Sequence, residues 1–270
     1  MKKVILITGA SAGMGKDFAR ELLKDGHTVY GAARRLDKMD DIKALGVKII
    51  SMDVTDETSM VNGVDAIIKL EGRLDVLINN AGFGSYGAIE DVPIEDAKYQ
   101  LDVNVFGAAR LSQLVIPQMR KQHFGRIINI SSIGGKLAMP LGGWYHASKF
   151  ALEGLSDALR NEVKPFGIDV VVIEPGGVKS EWADIAMDNL VKISGNGEYE
   201  KMAKKFAAMS KERGHSVAEP DVITKLVKKA IESQNPKTRY SGGFMAGPLL
   251  FLRKILSDRM MDKLFMSQLK

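Results

Sequence analysis

The chain has 270 residues, 45% of them hydrophobic and 26% charged, which allows a large core and excludes a mainly disordered or collagen-like chain. Its 38 Lys plus Arg against 33 Asp plus Glu give a net +5 that is scattered rather than clustered. This argues against a nucleic-acid partner and suits an anionic cofactor. With no cysteine, the chain has no disulfide, thiolate nucleophile or thiolate-bound zinc, in keeping with a reducing compartment.

The start, Met1-Lys2-Lys3 before Val4 to Ile7, imitates a signal peptide, but the apolar run stops after four residues at Thr8-Gly9. That run is too short for a helix and predicts a strand buried on both faces. Thr8-Gly9-Ala10-Ser11-Ala12-Gly13-Met14-Gly15 follows, then helical spacing from Asp17 to Lys24. Strand, glycine turn and helix, in that order, let backbone N–H groups and a helix N-terminus cradle a pyrophosphate.

The alternation continues with strands expected at 27–33, 47–52, 74–79, 125–131 and 168–174, and helices at 37–45, 57–70, 94–122 and 144–164. A further helix (220–233) and a short edge strand (238–241) bring the strands to seven. The expected architecture is a single-domain α/β chain over 1–270, a Rossmann-type, doubly wound, mostly parallel sheet with right-handed crossovers. Ligands of such sheets bind beyond the carboxyl ends of the strands. There fall Asp53-Val54, Asn79-Asn80-Ala81-Gly82, Ser131-Ser132 and Pro175-Gly176-Gly177. At the end of the second strand, where an acid would take the ribose 2′-hydroxyl of NAD, stand Ala33-Arg34-Arg35. Arginines there can clamp a 2′-phosphate, which favours NADP over NAD, although Asp37 is close by.

Tyr145 and Lys149 lie four apart and share one face of the helix expected at 144–164. An ammonium beside a phenol is expected to lower the phenol's pKa and make it a usable acid or base. His146 points about 100° away and is expected to pack or hydrogen-bond behind the site. The four histidines, His27, His123, His146 and His215, have no metal-ligand spacing, so no metal is expected.

From about 181 to 218 the pattern loosens around Ser194-Gly195-Asn196-Gly197, with Met187, Met202 and Met209 nearby, and reads as a helical substrate lid. The extension from about 245 to 270 is a basic amphipathic tail. Its docking partner is the body, a second subunit or a membrane surface, with protein the favoured choice. No segment is long and apolar enough to span a bilayer, and a cytoplasmic location is expected.

Over roughly its first 240 residues the chain resembles the classical short-chain dehydrogenases/reductases. The resemblance rests on Thr8 to Gly15, Asn79 to Gly82, Asn104 in Val103-Asn104-Val105, Ser132, Tyr145, Lys149 and Pro175 to Ser180. It implies that Tyr145 exchanges a proton with a carbonyl or alcohol oxygen that Ser132 also binds. It further implies that Lys149 binds the nicotinamide ribose and lowers the Tyr145 pKa, and that Asn104 holds a water. The cofactor would rest on Gly9, Ser11, Gly13, Met14, Gly15, Arg34, Arg35, Asp53, Val54, Asn80, Ala81, Gly82, Asn104, Tyr145, Lys149, Pro175, Gly176, Val178 and Ser180. The expected activity is NADP(H)-dependent interconversion of a carbonyl and a secondary alcohol on a mainly apolar small molecule, by a homodimer or homotetramer. The alternatives are a 3-oxoacyl-thioester reductase served by an acyl carrier protein and a non-catalytic dinucleotide sensor.

Overall fold

The computed structural model describes residues 2–213 and 217–269. Met1, Lys270 and residues 214–216, which include His215 and part of the expected lid, lie outside the described residues. The repeating units are β1 (Val4–Thr8), α1 (Gly13–Lys24), β2 (Thr28–Ala33), α2 (Asp40–Leu45), β3 (Lys48–Ser51), α3 (Glu57–Glu71) and β4 (Val76–Asn79). The second half runs through α4 (Ile94–Leu101), α5 (Gly107–Lys121), β5 (Gly125–Ile130), α6 (Gly143–Val163) and β6 (Ile168–Pro175). Helices α7 (Glu181–Ser194), α8 (Glu200–Arg213) and α9 (Asp221–Glu232) precede β7 (Arg239–Gly242), and α10 (Ala246–Ile255) and α11 (Asp258–Leu269) end the chain.

The seven strands pair in the order β3-β2-β1-β4-β5-β6-β7, and every pairing is parallel, β7 included. Alternate residues of each strand enter opposite cores, which is why the strand sequences are apolar throughout. Ile5, Ile7 and Val29 pack with Phe18 and Leu22 of α1 and Ile223 and Val227 of α9. Val4, Leu6 and Leu77 pack on the other side with Val64 of α3 and Leu111 and Val115 of α5.

Two expected helices differ in detail. The segment 37–45 is a 3₁₀ turn at Asp37–Met39 followed by the short α2, closed by Gly46 at φ 113°. The segment 94–122 is interrupted by a wide π turn, Asp102–Phe106, between α4 and α5. Such turns recur at functional sites, and this one contains Asn104.

A buried amide network fixes the carboxyl ends of the middle strands. Asn79 Nδ2 donates to Asn129 Oδ1 (2.9 Å) and the Ala108 carbonyl (3.2 Å), and Asn129 Nδ2 donates to Ser156 Oγ (2.8 Å). These bonds join β4 and β5 to α5, which follows directly on the π turn that carries Asn104, and to α6, which carries Tyr145 and Lys149. Paired polar groups in a low-dielectric core resist sliding because each is costly to leave unmade.

Candidate active site

A cavity of about 850 Å³ opens beyond the carboxyl ends of the strands. At one end lies the glycine turn. Thr8 Oγ1 accepts from the N–H groups of Asn80 and Ala81 (3.0 Å each), and Asn80 Nδ2 donates to the carbonyls of Thr8 (2.9 Å) and Gly9 (3.2 Å). Gly9 has φ 67°, and a Cβ there would stand 2.9 Å from Ala81 Cα, so both conformation and space demand glycine. Helix α1 has no side-chain cap and no acid in its first turn. Its N-terminal N–H groups and positive dipole end therefore meet the cavity beside Ser11, Gly13 and Met14. This cradle fits a pyrophosphate by size, backbone donors and charge.

The wall beyond β2 holds Arg34 and Arg35, with Asp53 and Val54 alongside. Arg34 donates to the Tyr99 hydroxyl (2.7 Å) and stands 3.9 Å from Asp53 Oδ2. The other Asp53 oxygen accepts from the backbone and hydroxyl of Thr55 (2.9 and 2.8 Å). Asp37 is exposed on its 3₁₀ turn and does not line the cavity. Asn80, Ala81, Gly82, Pro175, Gly176, Val178 and Ser180 complete the lining on the remaining sides. Two expected contact residues do not reach it. Gly15 lies behind the turn, where a Cβ would strike the Asn80 amide and the Gly9 carbonyl, so it lets α1 pack closely on the turn and on the segment after β4.

The second is Asn104, which is 1% exposed. Its Oδ1 accepts from the Phe83 N–H (3.0 Å), while Nδ2 donates to the Phe83 carbonyl (2.9 Å) and to Ser148 Oγ (2.9 Å). Both Nδ2 protons are used in tying the segment after β4 to α6, while Oδ1 keeps a second acceptor position beside Gly82 of the cavity lining.

Ser132, Tyr145 and Lys149 meet at the middle of the cavity. Ser132 Oγ accepts from the Gly134 N–H (3.0 Å) and donates to the Pro175 carbonyl (3.4 Å), and its hydroxyl is the polar neighbour of the Tyr145 phenol. Lys149 Nζ donates to the Ile130 carbonyl (2.8 Å) and lies 5.9 Å from the Tyr145 ring centroid. The expected depression of the Tyr145 pKa is corrected here. Burial pushes the phenol up to about 12, and only the Ser132 hydroxyl pulls against it. Desolvation of the buried ring is the larger effect. Burial likewise brings Lys149 down to about 8, opposed by the Glu153 carboxylate one turn further along α6. His146 is buried, with Nδ1 3.0 Å from the Gly134 carbonyl and its pKa lowered by burial, as the helix geometry led us to expect.

Sequence reading missed the aromatic wall. Tyr86 and Trp182 lie 5.6 and 5.2 Å from the Tyr145 ring, centroid to centroid, and Phe206 of α8 is 6.2 Å from Tyr86. From there apolar lining continues through Met187 and Met209 to Leu249 of α10 and Phe265 and Leu269 of α11. The tail docks on its own body: Met261 and Phe265 pack with Leu137, flanked by Leu249, Leu252 and Leu256. A run of leucines in the tail foretold docking, but nothing in it foretold a cavity wall. Among the described residues no His, Asp or Glu cluster could hold a metal, and no helix is long and apolar enough to cross a membrane.

The short chain dehydrogenase family model matches residues 3–189. The chain is 38% identical to a 3-ketodihydrosphingosine reductase of Bacteroides thetaiotaomicron, over 96% of this chain and 95% of that protein. It is 33% identical to an NADPH-dependent 3-dehydrocapnine reductase of Ornithobacterium rhinotracheale, over 98% and 96%. A short-chain dehydrogenase from Streptomyces avermitilis superposes with a TM-score of 0.82 at 32% identity, over 97% of this chain and 94% of that one. The glycine cradle, the Ser-Tyr-Lys cluster and these likenesses agree: the chain belongs to the short chain dehydrogenase family, oxidoreductases that act on CH–OH groups with a nicotinamide cofactor.

Proposed function

We propose that this chain is an NADPH-dependent reductase of a ketone carried on a long alkyl chain, with Tyr145 as proton donor. The observation that carries the reading is the mainly apolar lining that runs from Tyr145 through Trp182, Met187 and Met209 to the tail, with Asn189, Ser210 and Gln268 interspersed. A small polar substrate would leave that surface wet, whereas an alkyl chain gains about 0.8 kcal/mol per buried CH₂. The relatives named for reduction of 3-ketodihydrosphingosine and 3-dehydrocapnine support the same class, and the second is named for NADPH.

A bound nicotinamide supplies the hydride that reduces the carbonyl carbon. The chain's own groups handle the oxygen. Ser132 Oγ, oriented by the Gly134 N–H, donates a hydrogen bond to it, and the Tyr145 hydroxyl gives it a proton as negative charge develops. Lys149, charged at neutral pH, holds the ribose hydroxyls, and Asn104 positions α6 and the Phe83 segment against each other. Arg34 and Arg35 take the 2′-phosphate, and the uncapped start of α1 takes the pyrophosphate. Helices α7 and α8 act as the substrate lid. Phe106 and Phe150, 62% and 46% exposed on the π turn and α6, suit burial between copies in a homodimer or homotetramer.

The test is NADPH consumption with 3-ketodihydrosphingosine and with analogues of progressively shorter chain. Turnover efficiency should fall as the chain shortens. Tyr145→Phe should lower kcat about 10³-fold with cofactor affinity kept. Equal turnover of short and long ketones would remove the substrate class, and full activity in the Phe variant would remove the proton donor.

A further inference from the structure

Helix α10 is apolar on two faces. Leu249, Leu252 and Leu256, at its inner face and end, pack on the body, while Phe251 and Ile255, one turn apart, are 61% and 59% exposed. Met260 at the start of α11 is 52% exposed, and Met245, just before α10, is 39% exposed. Met245 holds a left-handed backbone (φ 59°), a conformation unfavourable for any side chain other than glycine. Phe244 and Ile185 are both exposed and part of the cavity lining, so they form its rim. The apolar surface therefore continues from the cavity mouth onto the outside of the tail. A helix apolar on both sides has its second side matched to an apolar phase.

Around these residues stand Arg253, Lys254, Arg259 and Lys263, against two acids, Asp258 and Asp262. Asp258 is paired with Arg253 at 2.9 Å. Lys254, Arg259 and Lys263 are exposed. Long basic side chains can lay their stems along an apolar surface and put their charge at headgroup level. We propose that the outer face of α10 and α11 is a docking surface for an anionic lipid bilayer, seating the cavity mouth on the membrane. Charge decides against a second copy. A two-fold contact would set the same basic patch against itself, whereas anionic headgroups complement it. This docking surface is independent of which ketone is reduced and gives the tail a role beyond walling the cavity.

The experiment is co-sedimentation of the full chain with mixed phosphatidylglycerol and phosphatidylcholine vesicles and with phosphatidylcholine alone. The wild type should pellet with the anionic vesicles, weakly with the neutral ones, and be released by high salt. Phe251→Ser with Ile255→Ser should lower the partition by ~10-fold or more. Lys254→Glu with Arg259→Glu should abolish the preference for anionic lipid. Both variants should keep wild-type NADPH turnover of a small soluble ketone, since none of these residues lines the cavity. The proposal is overturned if the wild type stays in the supernatant or if the variants partition as it does. It is also overturned if the Ser variant instead lowers the mass seen by light scattering, which would make the face a contact between copies. A wild type that pellets but reduces no ketone would keep the surface and remove the proposed activity.

Discussion

Replacing Lys149 by Met should make the fold more stable while removing activity. Burial lowers the Lys149 pKa from its ordinary 10.5 to about 8. At 1.36 kcal/mol per pH unit, holding that charge in the folded chain costs about 3 kcal/mol at neutral pH. Losing the 2.8 Å bond to the Ile130 carbonyl returns about 1 kcal/mol of this, leaving a net gain of about 2 kcal/mol. For a chain of this size that is about 5 °C in Tm. The pH window follows from the sign of the shift. Below about 8 both folded and unfolded chains carry the proton, and the wild type bears the full penalty. Between about 8 and 10.5 the folded lysine is neutral while the unfolded one is charged, so wild-type stability from this group rises with pH. Thermal unfolding of both proteins without cofactor, at pH 7 and pH 10, checks it. The Met variant should melt higher at pH 7, and the gap should shrink by pH 10. A variant that melts below the wild type at pH 7, or a gap independent of pH, would show that the buried charge carries no such penalty.

Arg34→Ala with Arg35→Ala should weaken NADPH binding at least 10-fold more than NADH binding, measured by fluorescence titration; equal losses would show that this wall does not read the 2′-phosphate. Trp182→Ala opens the Tyr145 ring to water and should move the basic limb of the kcat profile to lower pH, because desolvation is what raises that phenol. An unchanged limb would mean that the wall is not its source. Arg126 is 2% exposed and donates to the carbonyls of Ala230, Ile231 and Ser233 and to Asp169. Arg126→Met should cost about 3 kcal/mol in urea unfolding while leaving the KM for cofactor unchanged, since it lies away from the cavity.

The parallel sheet was legible because its strands bury both faces and are therefore apolar without alternation, and because glycines, prolines and amides punctuate their ends. Ser132, Tyr145 and Lys149 were legible because their spacing matches one strand end and one helix face. The π turn at Asp102–Phe106 was not, since no residue type encodes a wide turn; it follows from how α4 and α5 dock. Tyr86, Tyr145 and Trp182 come from three separate segments, so only the fold brings their rings together. The link between Arg34 and Tyr99 was hidden for the same reason. The sign of the Tyr145 shift went wrong because sequence displays a charged neighbour but not the depth of burial.

Burial keeps the proton on the Tyr145 phenol at neutral pH, so the resting hydroxyl is in the form that gives a proton. The aromatic wall that resists a phenolate raises no barrier to a neutral hydroxyl or to an alkyl chain. Tyr145 therefore rests in the protonation state from which carbonyl reduction starts, while the direction of turnover follows from the reaction's equilibrium, which a catalyst does not shift.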